Sequence, residues 1–313
     1  MIDNFFLLVL ALAVVLQGAS LSARYAERIA ESFHMSRYLV GFIVVSFVAI
    51  LPETFIAINA ALQGQPSMGV GTLFGSNVID LTLIMAILTI LAGKRGIRVE
   101  KGLFKKLRIY PLFLTIPLLL GLDGEFTRAE GASLIIVGFI FYYYMFRNAV
   151  GISSRSEEIR HRARNVVLFL GAMLLLLIGA HFTSSAAVNL AEAMKVSPIL
   201  IGVLIVSFGT TLPELSFSAK AIKHRKDAMA IGDVLGSVLA DATIVVGIVA
   251  MIAPFSFSRT ITYVAGGFMV ASSIVLLVFM KSKLKITRRE AWLLIAVWAA
   301  YIVTELISGK VIS

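Results

Sequence analysis

Residues 41–80 (GFIVVSFVAILPETFIAINAALQGQPSMGVGTLFGSNVID) recur at 202–241 (GVLIVSFGTTLPELSFSAKAIKHRKDAMAIGDVLGSVLAD), and both copies set carboxylates into chain that is otherwise apolar enough for a bilayer. At a constant offset of 161, Gly41, Val45, Ser46, Phe47, Leu51, Pro52, Glu53, Ala60, Met68, Gly71, Gly75, Ser76 and Asp80 have identical partners, among them Pro213, Glu214, Ser237 and Asp241. Duplicated apolar segments interrupted by Pro and Gly point to a transporter whose site lies between two repeats.

The chain as a whole calls for lipid as its solvent. Of its 313 residues 59% are hydrophobic, more apolar side chain than a soluble domain of this size can bury. Ten apolar stretches stand out, at 5–23, 39–62, 69–92, 109–122, 131–147, 166–184, 198–219, 229–253, 260–280 and 291–308. The fourth is short, holds Pro111 and Pro117, and extends back toward Leu103 if Lys105 and Lys106 snorkel to the headgroups. The first follows Asp3 rather than a basic residue and precedes no A-x-A-like site, so it reads as a span and not a cleaved signal. Cysteine is absent, which excludes disulfides and thiolate metal sites.

The formal charge of +10 is unevenly placed. All of the 28 basic residues except Arg128, Lys195, Arg259 and Lys310 fall in alternate loops, including the KHRK run at 223–226. The positive-inside rule then predicts ten spans in the cell membrane with both termini outside. The basic excess is an orientation signal with affinity for anionic lipid headgroups, not a nucleic-acid footprint. Five spans separate equivalent points of the repeats, and an odd number inverts the second copy. The expected fold is an all-α integral membrane protein of ten transmembrane helices in two inverted five-helix repeats, with broken helices at the site. Residues 1–150 form the first repeat, 151–165 a cytoplasmic linker and 166–313 the second repeat.

Most of the eighteen acidic residues lie in loops or at span ends, but Glu53, Asp80, Glu214 and Asp241 do not. Each central carboxylate costs about 3 kcal/mol on insertion scales, so four cost on the order of 12 kcal/mol unless neutralised. With no Lys or Arg at comparable depth, they bind cations, take up protons or line a wet cavity. Pro52 and Pro213 each precede a Glu and remove a backbone donor, displacing the carbonyl of Val48 or Gly209. Carbonyls freed at membrane depth are tolerated at a cavity and suit hard cations. Ser76 with Asp80, and Ser237 with Asp241, are spaced to share a helix face. Gly71, Gly75, Gly232 and Gly236 allow close helix approach. Thr210 and Thr211 add hydroxyls just before Glu214. An oxygen-only set suits Ca2+, Na+ or Mg2+ and argues against zinc or copper.

Other polar residues have plainer readings. Asp233 serves equally as a helix N-terminal charge or as a ligand, Tyr142, Tyr143 and Tyr144 read as an interfacial belt, and His181 reads as interfacial. An intramembrane aspartyl protease is disfavoured because AIGD at 230–233 lacks the first Gly of GxGD and no Tyr-Asp pair exists; HExxH is absent too. Inverted half-sites in one chain favour alternating access over a channel.

The segments SFVAILPE with GTLFGSNVID, and SFGTTLPE with GDVLGSVLAD, resemble the two alpha repeats of the sodium/calcium exchanger family, and the likeness covers essentially the whole chain. The resemblance implies that Glu53 and Glu214 coordinate Ca2+ and share the Na+ sites, with Thr210, Thr211, Ser76, Ser237 and Asp241 as further ligands and backbone carbonyls at Ser46 and Ser207. Three departures stand out. Val48, Ala49 and Ile50 replace the family's Gly-Thr-Ser, Asp80 stands where Asn is common, and Asp233 follows Gly where Asn is usual. The expected function is therefore Ca2+ extrusion in exchange for Na+, without cofactor or enzymatic chemistry. The alternative is Ca2+/H+ antiport with Asp80 as an added proton-coupling carboxylate. Membrane lipid and small cations are the expected partners, no nucleic acid is, and a monomer is the working expectation.

Overall fold

The computed structural model describes residues 2–32, 35–62, 66–147, 162–193, 211–257, 259 and 262–312. Its first half runs α1 (Ile2–Ser32), α2 (Arg37–Ala49), α3 (Leu51–Leu62), α4 (66–91), α5 (Lys101–Leu107), α6 (Tyr110–Leu120) and α7 (Arg128–Arg147). The second half runs α8 (Arg162–Ala193), α9 (Leu212–Lys223), α10 (Asp227–Ile252), α11 (262–281) and α12 (Arg288–Ile312). Seven of these helices are long and apolar enough to cross a membrane. The fourth predicted span differs in detail. The chain breaks at Arg108–Ile109, so α6 is an eleven-residue helix with Pro111 in its first turn, and Lys105 and Lys106 belong to the separate α5. α8 begins at Arg162, inside the range read as linker; residues 151–161 of that range lie outside the described residues.

Two compact units make up the chain, and each takes residues from both repeats: 1–52 with 149–233, and 53–148 with 234–313. In the first unit the long helices α1 and α8 pack together at glycines. An added Cβ at Gly18 would lie 2.6 Å from the Leu176 amide nitrogen, and one at Gly179 would lie 2.9 Å from that of Val15. Small residues let helix backbones approach where lipid gives no hydrophobic drive for association. α2 crosses the start of α10 in the same way, through Gly41 and Gly232. The turn after α9 places Arg225 in left-handed backbone (φ 59°) and aims Lys226 at Glu27 of α1, which Arg37 also reaches at 3.3 Å. Part of the predicted topology run thus forms a structural ion pair.

In the second unit α7 packs on the second half of α10, with Gly131 and Gly247 reciprocally apposed. Two tyrosines tie into α10 from neighbouring helices. Tyr110 donates to the Leu235 carbonyl at 2.7 Å and Tyr142 to that of Gly236 at 3.0 Å. Tyr142 is therefore a buried tie between helices and not part of an aromatic belt, whereas Tyr143 is exposed. Two short antiparallel ribbons clip the helix ends: β1 (Ile97–Arg98) with β4 (Lys285–Ile286), and β2 (Glu125–Phe126) with β3 (Phe255–Ser256). Each joins the first half of the chain to the second. Gly96, at φ 64°, lets β1 lie against the Ile286 carbonyl, which a side chain would strike.

Candidate cation site

Proline decides where the two glutamates stand. In the first repeat α2 ends at Ala49 and α3 starts at Leu51; in the second, Thr211 caps α9, which starts at Leu212. A proline in the first turn costs no hydrogen bond, because that amide has no helical partner. Glu53 and Glu214 consequently occupy first turns, where the positive end of the helix dipole favours an anion. Both are buried, at 3% and 1% exposure. The prolines were expected to break the helices at the site and displace the carbonyls of Val48 and Gly209. At the first site the helix does break, with the Ile50 amide donating to the Ser46 carbonyl at 3.0 Å; Gly209 lies outside the described residues.

The two aspartates also hold matched places. Each opens a π-helical turn, Asp80–Ile84 in α4 and Asp241–Val245 in α10, at the same offset of 161. Within each turn a threonine bonds back to its own helix, Thr82 to the Val78 carbonyl and Thr243 to that of Leu239. A widened turn rotates the residues that follow and is often found at functional sites. The threonine pair was missed in the sequence, although it repeats the offset just past the aligned block. Asp80 and Asp241 are fully buried.

Within the second unit, the part of α4 that carries Ser76 packs against the π turn of α10 that Asp241 opens. The hydroxyls of Ser76 and Ser237 differ. Ser76 donates to its own helix at the Leu73 carbonyl (3.0 Å), while the buried Ser237 hydroxyl has no hydrogen-bond partner among the described residues. Asn77, beside Ser76, is also buried; its amide reaches the Met269 sulfur at 3.5 Å and its oxygen has no partner among the described residues. Within the first unit, α2 and α9 pack together, carrying Ser46 and the Thr211–Glu214 turn. The Ser46 hydroxyl bonds back to Phe42 at 2.6 Å, and its carbonyl receives the Ile50 amide. Ser207 and Thr210 lie outside the described residues. Among the described residues no three or more His, Cys, Asp or Glu side chains gather as a metal cage. Ligands of the expected kind, two carboxylates completed by hydroxyl and carbonyl oxygens, do not need one.

Asp233 is neither a helix-end charge nor exposed. It lies two turns inside α10, whose first turn holds Asp227 instead. It is fully buried and bonded to Ser218.

The profile of the sodium/calcium exchanger protein family matches residues 4–147 and 164–307, one segment per repeat. The chain belongs to this family. It is 30% identical over 237 residues to an uncharacterized membrane protein of Methanocaldococcus jannaschii, covering 74% of this chain and 76% of that one. To the sodium/calcium exchanger MaX1 of Methanosarcina acetivorans it is 22% identical, covering 96% and 97%. Among solved structures, the sodium-calcium exchanger NCX_Mj soaked with Na+ and Sr2+ superposes with a TM-score of 0.84 at 27% identity, over 96% of this chain and 98% of that one. This member of the sodium/calcium exchanger family is thus an integral membrane protein whose described residues are predominantly helical.

Proposed function

We propose that this exchanger is a secondary active antiporter that moves Ca2+ out of the cell in exchange for Na+ by alternating access. The observation that carries the reading is the duplicated Leu-Pro-Glu break, which buries one glutamate at a helix start in each repeat. Family membership and the likeness to NCX_Mj support it. In this reading Glu53 and Glu214 coordinate Ca2+, and Asp80, Asp241, Ser76, Ser237, Thr210, Thr211, Ser46 and Ser207 complete the oxygen set for Ca2+ and Na+.

The same charges account for exchange without leak. A carrier emptied of cations would cross between its two open states with bare buried carboxylates, each costing about 3 kcal/mol. Loading with either Ca2+ or Na+ removes that barrier, so transit requires an ion in each direction. No covalent chemistry is involved, and the ions are substrates. Both termini face outward in the cell membrane, the basic loops face inward, and a single chain suffices.

The deciding experiment reconstitutes the purified chain in vesicles and imposes Na+ and H+ gradients separately while following radiolabelled Ca2+. Uptake driven by Na+ and indifferent to the H+ gradient is expected; uptake driven only by H+ would replace Na+ with H+ as the coupling ion. Asp80, an acid where the family commonly has Asn, is the specific feature favouring that second reading. Under it, Asp80→Asn flattens the pH profile of uptake while changing Ca2+ affinity by less than about threefold. An unchanged pH profile in this variant removes the support for proton coupling.

A further inference from the structure

Asp233 has no repeat counterpart, since the offset places Thr72 opposite it. No Lys or Arg among the described residues pairs with it. Its Oδ2 lies 2.7 Å from the Ser218 hydroxyl, and its Oδ1 has no hydrogen-bond partner among the described residues. The same hydroxyl lies 3.3 Å from the Ala230 carbonyl, one turn before Asp233 on α10. Ser218 thus faces two acceptors with a single proton. An ionised Asp233 would compete with Ala230 for that proton and leave a bare anionic oxygen in a site with no exposure. A protonated Asp233 resolves both problems. Its own O–H donates to Ser218, whose O–H then donates to Ala230, and the remaining carboxyl oxygen is neutral.

Among the described residues the surroundings supply no counter-charge. α2 contributes Gly41, whose added Cβ would sit 3.0 Å from the Asp233 amide nitrogen, and Tyr38, whose carbonyl lies against Gly232. α9 carries Glu214 one turn before Ser218, and Lys220 beyond it; α10 carries Asp227 at its start and Asp241 at its π turn. None of these side chains forms a hydrogen bond or ion pair with Asp233 among the described residues.

We propose that Asp233 and Ser218 form a proton-filled carboxyl–hydroxyl latch that seats the helix bearing Glu214 on the first half of α10 and takes no metal. Asp233 is a positioning residue. Ser218 lies one turn after Glu214 and Asp233 one turn before Ser237, so the bond sets the separation of two helices that each carry a proposed ligand. The role in transport rests on the reading of Glu214 as a ligand, whereas the protonation does not.

The test uses the full chain in vesicles, as wild type, Asp233→Asn and Asp233→Leu. Infrared spectra at neutral pH are expected to show a protonated-carboxyl carbonyl band that shifts in D2O and is lost in Asp233→Asn. The Asn variant, which keeps the hydrogen-bond geometry without charge, is expected to retain Ca2+ affinity within about threefold, while the Leu variant loses about tenfold. Absence of the band overturns the latch, as does an Asn variant that loses as much as Leu, because Asp233 would then be an ionised ligand. A Leu variant with wild-type affinity overturns the positioning role. Should wild type carry no Ca2+ in either gradient, the Ca2+ reading falls alone and the band still decides the latch.

Discussion

Replacing Glu214 by Gln is expected to lower Ca2+ uptake into reconstituted vesicles at least about 100-fold, and Glu53→Gln to do the same. Gln keeps the volume and hydrogen-bonding reach of Glu but not its charge. Removing one partner from a buried charge pair costs about 3–5 kcal/mol, and a factor of ten corresponds to about 1.4 kcal/mol. The fold should survive, because Gln keeps the side chain's shape and the lost charge forfeits a helix-dipole interaction of about 0.3–1 kcal/mol. Both variants should therefore purify as monodisperse protein with near-normal thermal stability. Wild-type uptake by both would end the assignment of these residues as ligands. Loss in one only would mean that the repeats contribute unequally, with the second favoured by its hydroxyls at Thr210, Thr211 and Ser237.

The second large effect concerns the crossing of α2 and α10. An added Cβ at Gly232 would lie 2.3 Å from the Tyr38 carbonyl oxygen and 2.8 Å from the Phe42 amide nitrogen, and one at Gly41 would overlap the Met229 carbonyl. These neighbours are backbone atoms, which cannot rotate out of the way as a side chain can. Overpacking of this kind costs about 3 kcal/mol or more. Gly41→Val and Gly232→Val are thus expected to lower the unfolding midpoint in detergent by at least about 5 °C, or to prevent recovery of folded protein. Gly171→Ala is the control, since nothing lies within 4 Å of its added Cβ. Valine variants as stable as that control would show that the two helices separate at no cost.

The features readable in the chain were those set by neighbours in sequence. Proline interrupts a helix, so broken helices beside Glu53 and Glu214 could be read from the chain, whereas their placement in first turns could not. The pairing of Ser76 with Asp80, and of Ser237 with Asp241, follows from helical spacing. The threonines Thr82 and Thr243 also carried a signal, the shared offset of 161, but they lie outside the block whose identities drew attention. Tyr142 was misjudged for a physical reason. An aromatic run at a span end has the composition of an interfacial belt, and only the position of α10 shows that one of the three tyrosines faces inward to the Gly236 carbonyl.

Hydropathy, charge placement and proline are local properties, so the sequence by itself determined a membrane-embedded helical duplication with a matched glutamate and aspartate at membrane depth in each copy. Which helices share a compact unit depends instead on contacts between residues far apart in the chain. Tertiary structure alone therefore divided the molecule across its repeats, brought α4 onto the π turn of α10, and closed the hydrogen bond between Ser218 and Asp233. A hydrogen bond exists only where two backbones place donor and acceptor within about 3 Å, and no pattern along one strand of sequence encodes that distance.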